Sequence, residues 1–379
     1  MPSTQSRKLL ASLVLGLVAQ AAWADEYVVS ILTPRSGEWA EIGKSMRNGI
    51  AFALEQAEDK GRFREGVRLS LKDYDESQVP QVLGRQTMEQ VRENEAILVI
   101  GPLFSTRAET VATYANRYNF PLLTPAVSQG VTNTGIWAFR SGMSPHDFVE
   151  SMVKGAIGHL KPRRVAVIYP AGNPGFESQA RTVAQAATRQ GTLVVGELGV
   201  DADEPGFTEA AAALRSVSPD AIFICMDAEP AGALASRLHG AGVTAKARLV
   251  FGPASAQPAL IEVGRQYVEG ALVATDYLPE LPGEMNRSFV ASYRERFGAK
   301  PDRWAGIGFA TGLVAAEAIR NAGPSPNRAL VREALERGAS LSVPLGQQKW
   351  TMGTHHEPRY EAAFFQITSG AFVPLGAGR

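Results

Sequence analysis

Two short loops carry small hydroxyl side chains where an anion could be captured. Gly101-Pro102-Leu103-Phe104-Ser105-Thr106 follows one apolar run, and Thr124-Pro125-Ala126-Val127-Ser128 follows another. In open parallel sheets, small ligands bind beyond the carboxyl ends of the strands, where amides of the next helix point into the crevice. Thr106 and Glu109 fit a capping box, which leaves the Ser105 hydroxyl and nearby amides free for a carboxylate. Two readings of each serine stand open: Ser105 binds a ligand or only caps its helix, and Ser128 binds or is a plain turn residue.

Other chemistries lack their residues. The chain has no Gly-x-Ser-x-Gly elbow, no phosphate loop with its lysine, and no Gly-x-Gly-x-x-Gly opening a first helix. Gly306-Ile307-Gly308 with Gly312 lies inside a helical stretch, where close helix packing is the expected role. His355-His356-Glu357 contains metal-ligand types, but neighbours in an extended loop point apart, so a solvated turn is expected. Asp73 and Asp75 share one face of a strand end and read as its carboxyl edge more readily than as an acid–base pair. The lone Cys225 has no partner for a disulfide, and no cofactor or metal is expected. Lys plus Arg and Asp plus Glu both number 38, so the positive field that nucleic acid demands is missing.

These loops need elements to hold them, and the chain reads as an alternation of strands and helices. Val28–Leu32, Val67–Leu71, Ile97–Ile100 and Pro121–Thr124 are strand-like, separated by helical spacing over 46–61, 79–92 and 105–117. The rhythm restarts after 140–142. Helices over 145–160, 177–190, 207–217 and 230–239 alternate with strands over 164–169, 193–198, 221–226, 249–252 and 270–275. Such crossovers imply mostly parallel sheets covered on both faces. Three helices (285–297, 302–322 and 327–337) and a strand over 360–368 follow, and the helices are expected to return to the first unit.

Arg7-Lys8, an apolar run over Leu9–Ala22 and Ala22-Trp23-Ala24 fit a cleaved export signal covering 1–24. Removing it takes two positive charges and no negative ones, leaving 36 against 38.

At this level the chain resembles the type I periplasmic binding proteins of ABC transporters, in the leucine/isoleucine/valine-binding branch, over 26 to about 372. The similarity rests on Thr33-Pro34-Arg35-Ser36-Gly37, Lys72-Asp73-Tyr74-Asp75, Ile100 to Ser105, Leu123-Thr124-Pro125-Ala126, Pro162 to Tyr169, Phe251-Gly252-Pro253 and Val268-Glu269-Gly270. It implies an α/β fold of two Rossmann-like lobes with parallel sheets joined by three hinge crossovers. Lobe I would comprise 25–141 plus 276–348, and lobe II 142–275 plus 349–379. It also implies a ligand carboxylate held by Ser105, Ala126 and Ser128, with pocket walls from Trp39, Ile42, Phe104 and Trp304. Relatives place an acid just after the Gly-Pro of the second-lobe strand, where this chain has Ala254. Asp227 is a substitute for that acid or only a helix cap, and the ligand is an amino acid bound through it or an organic acid without an amine. The resemblance implies a periplasmic, monomeric, non-enzymatic receptor that serves an ABC permease. A sensor reporting to a signalling partner is the alternative, and an exported hydrolase lacks its nucleophile.

Overall fold

The computed structural model describes residues 25–63, 67–338 and 340–376, so the export signal expected over 1–24 lies outside the described residues. β1 (Asp25–Thr33), α1 (Ala40–Asp59), β2 (Val67–Asp75), α2 (Pro80–Glu93), β3 (Leu98–Ile100), α3 (Ser105–Tyr118), β4 (Leu122–Thr124) and β5 (Ala138–Arg140) open the chain. They form a five-stranded sheet in the order β2-β1-β3-β4-β5, parallel throughout. Every residue of β3 and β4 is buried, as strands covered by helices on both faces must be.

The second unit starts with α4 (Pro145–Leu160), where Ser144 caps the Asp147 amide and Pro145 supplies the first turn. β6 (Arg164–Pro170), α5 (Pro174–Arg189), β7 (Leu193–Val200), α6 (Glu204–Val217), β8 (Ala221–Ile224), α7 (Ala228–Gly240), β9 (Arg248–Phe251), α8 (Pro258–Gly264) and β10 (Leu272–Thr275) continue it. Then α9 (Glu284–Phe297), α10 (Arg303–Ala322) and α11 (Arg328–Arg337) return to the first lobe. Phe52 of α1 meets Phe289, Phe297 and Phe309 there, and Arg328 donates to the Val91 and Ala96 carbonyls.

β11 (Ser340–Ser342), β12 (Lys349–Met352) and β13 (Pro358–Arg359) make a small antiparallel sheet absent from the sequence reading. Finally β14 (Ala363–Thr368) and β15 (Ala371–Pro374) complete the seven-stranded second sheet, β15-β14-β10-β9-β8-β6-β7, with an antiparallel edge.

The last crossing therefore falls at 360–362 and not at 348–349. Trp350 is buried and shares a small pocket with Val314, Ala318 and Leu335 of α10 and α11, and its Nε1 donates to Ser141 O at 3.2 Å. Burying that indole keeps β12 and β13 with the first lobe. His356 likewise is not in a solvated turn: it stacks on Phe139 at 4.1 Å, with Nδ1 3.1 Å from Ala138 O.

Glycine lets α1 and α10 touch backbone to backbone. A Cβ on Gly308 would stand 2.2 Å from Met46 O, one on Gly49 2.2 Å from Ala305 O, and one on Gly312 2.6 Å from Ile50 O. The glycine cluster thus packs helices, as its helical context implied. Gly308→Ala should cost about 1–3 kcal/mol through overpacking, whereas Gly158→Ala, with nothing within 4 Å, should stabilise α4 by roughly 0.5–1 kcal/mol. Urea unfolding checks both, and equal midpoints for the two variants would contradict this packing.

Candidate ligand-binding cleft

A cavity of about 720 Å³ opens between the lobes. The first lobe lines it with Leu103, Phe104, Ser105, Pro125, Ala126 and Val127, and α10 adds Arg303, Trp304 and Ile307. The second lobe faces these with His146, Phe148 and Val149 of α4, Ser178, Gln179 and Thr182 of α5, and Pro253. Gly142, Met143, Asp276 and Tyr360, in the segments that cross between the lobes, also line it.

The turn after β3 is fixed from behind by Glu76, whose side chain is fully buried. Its carboxyl accepts from Leu103 N at 2.7 Å and Phe104 N at 3.2 Å. Burial pushes this acid up to about 7, against the opposing pull of the two amides and Arg107. Gly101 holds φ +99°, and a Cβ there would fall 2.0 Å from Leu32 O, so the turn requires glycine. With the Phe104 amide taken, the Ser105, Thr106 and Arg107 amides at the start of α3 have no acceptor among the described residues. The Ser105 hydroxyl is also unpartnered among them. Positive partial charge at this helix start favours an anion.

The second loop is tied down by Thr124, whose hydroxyl donates to Pro102 O and accepts from Ala126 N. The wholly buried Arg140 donates to Val127 O and pairs with Glu357, each at 2.6 Å. Glu357 thus reaches from the small third sheet to brace the cleft.

Of the residues expected at the site, Ser105, Ala126, Phe104 and Trp304 come together in the cavity wall. Ala126 contributes surface but not its amide, which Thr124 holds. Ser128 is turned away, because its hydroxyl donates to Glu109 and accepts from Gly130 N. That contact also removes Glu109 from the expected capping box, and Phe104 occupies the cap position in place of Thr106. Trp39 stands behind Phe104, edge-on at 5.6 Å and 45% exposed, and the half-buried Ile42 packs on the first-lobe core. Neither lines the cavity. Asp227 is exposed at the start of α7, caps no amide and is outside the lining.

Asp276, Arg303 and Tyr360 were missed. Arg303 grips Asp276 through Nε and Nη2, both at 2.6 Å, and Tyr360 Oη accepts from Met143 N at 3.2 Å. The only signals for them were an acid directly after the Thr275 strand end and the Asp302-Arg303-Trp304 helix start. Elsewhere the remaining candidates have structural work. Asp73 pairs with Arg47 at 2.9 Å. Asp75 lies at about 2 despite the opposing effect of burial, because it accepts from Ser36, Arg35 N and Ser77. Burial pushes the Cys225 thiol up to about 12, leaving it protonated and inert.

Comparison with known proteins gives one consistent family. A family model described as "Periplasmic binding protein" matches residues 26–371. The chain is 24% identical over 346 residues to an amino acid binding protein of Pseudomonas aeruginosa, covering 90% of each. In fold it is similar to an ABC transporter substrate-binding protein from Sphaerobacter thermophilus, with a TM-score of 0.78 and 17% identity over 93% of this chain and 97% of that one. It is also similar to a solute binding protein from R. palustris in complex with benzoate, with a TM-score of 0.68 and 18% identity over 93% and 96% of the two chains.

Glu76 makes stability fall with rising pH. Its folded pKa of about 7 exceeds the ordinary carboxylate value, so between roughly pH 4.5 and 7 the folded chain holds a proton that the unfolded chain has released. Between pH 5 and 8 the wild type should therefore lose on the order of 2 kcal/mol more stability than Glu76→Gln. Denaturant titrations at both pH values measure this, and parallel losses would show that Glu76 carries no proton in the folded state.

Proposed function

Because the chain belongs to the periplasmic binding protein family, we propose that it is an exported, non-enzymatic receptor that captures a small carboxylate-bearing ligand between its lobes and delivers it to the permease of an ABC importer. The observation that carries this reading is the inter-lobe cavity with Ser105 at its wall, at the start of α3 where the first amides are unpartnered among the described residues. The names of the similar proteins point the same way: amino acids and benzoate share a carboxylate and little else.

A ligand seated there would touch Ser105 and Trp304 on one side and Gln179 and Phe148 on the other. Such contacts exist together only when the lobes close, so the ligand favours the closed arrangement by its differential affinity. Three short crossing segments act as the hinge.

Ser105→Ala should weaken binding of benzoate or leucine, whichever the wild type takes up more tightly, by about tenfold, the cost of a charge-assisted hydrogen bond. The melting temperature of the free protein should hardly move. Asp227→Asn should leave the affinity unchanged, because Asp227 is outside the cavity. Calorimetric titration measures both, and an undiminished affinity in Ser105→Ala would remove the anion site from α3.

A further inference from the structure

We infer that the ligand is a carboxylate without an amine, carrying an apolar body. The inference rests on the receptor reading above and narrows it to one substrate class. Among the described residues, Asp276 is the only acid that lines the cavity. Both of its carboxylate oxygens are held by Arg303 at 2.6 Å, which leaves the pair neutral as seen from the ligand.

The neighbouring acids offer no substitute. Glu76 is buried behind the turn with its oxygens on the Leu103 and Phe104 amides. Glu109 holds Ser128, Glu177 pairs with Arg181, and Asp227 is exposed and outside the lining. The other titratable groups at the wall are His146, which sits beside Asp147 at 3.4 Å with its ring 60% exposed, and Tyr360. A ligand ammonium enclosed here would lose its water and gain no counter-charge, the costly case for a buried ion.

A carboxylate meets the opposite situation. Arg303 Nη1 has no acceptor among the described residues. The Tyr360 hydroxyl, which burial keeps protonated, accepts from Met143 N and so still has its proton to donate. The Ser105 hydroxyl and the α3 amides add further donors. Phe104, Met143, Phe148, Val149, Trp304 and Ile307 give the wall a broad apolar surface, which rewards an apolar body. Each of these polar groups can donate a hydrogen bond, and the only acid in the lining among the described residues is held by Arg303.

Calorimetric titration of the exported chain tests this with matched probes: leucine against isocaproate, phenylalanine against hydrocinnamate, and isocaproamide as the probe without a carboxylate. At least one amine-free acid should bind, and it should bind at least about tenfold tighter than its amino-acid match. Equal or tighter binding by the amino acids would overturn the inference while leaving the carboxylate receptor intact. Isocaproamide binding as tightly as isocaproate would overturn both, and so would no binding by any acid or amino acid. Arg303→Met releases Asp276 toward the ligand and should narrow the preference for the amine-free acid by about tenfold. An unchanged preference in the folded variant would overturn the role given to the pair; if the variant does not fold, the wild-type ratios decide alone.

Discussion

The ion pair between Asp276 and Arg303 joins the end of β10 in the second sheet to the first turn of α10 in the first lobe. It is bidentate, and the main-chain oxygen of Asp276 also accepts from Gly346 N at 2.7 Å. One residue therefore links a crossing segment, a first-lobe helix and the approach to the third sheet. Losing one partner of a buried pair costs about 3–5 kcal/mol; the Arg303 side chain is 29% exposed, so water screens this pair and its value lies below that range. Its larger consequence is electrostatic. Asp276 satisfies the guanidinium enough to raise its pKa despite burial, and in doing so ties up the only acid that lines the cavity among the described residues.

Around this pair the first lobe is built to be stiff. Backbone contact between α1 and α10 at Gly49, Gly308 and Gly312 leaves no room for the helices to slide. Glu76 holds one cleft loop through two amides, and Arg140 holds the other through Val127 O. A rigid wall keeps donors in place without a ligand and so reduces the ordering cost of binding. Under the proposed function, motion is left to the crossing segments, where Met143 N donates to Tyr360 Oη at the cavity wall.

How far the site was legible from sequence depended on how local its causes were. Ser105 and Ala126 were legible because their loops follow strand ends, and a parallel sheet puts all such ends on one edge; Phe104 and Trp304 came only from the resemblance. Ser128 shares that context, yet Glu109 captures it, a contact between residues 19 apart that no pattern announces. Trp39 and Ile42 carried the right chemistry for a wall, but Phe104 stands in front of Trp39. Asp276 and Tyr360 went unnoticed because crossing segments have no period to read. The third sheet was invisible for a related reason, since its strands of two to four residues lack the continuous apolar runs that announce the equally short β3, β4 and β8.

By itself, the sequence determined the alternation of strand and helix, the two-lobed architecture it implies and the loop that places Ser105 at the cavity wall. Those follow from short-range periodicity, from caps and from the geometry of parallel crossovers. Only the tertiary structure decided which hydroxyls face the cavity, that the last crossing falls at 360–362 and that Arg303 neutralises Asp276. Each of these depends on contacts between residues far apart in the chain, such as Ser128 with Glu109, Trp350 with Ser141 and Arg303 with Asp276, which local periodicity does not encode.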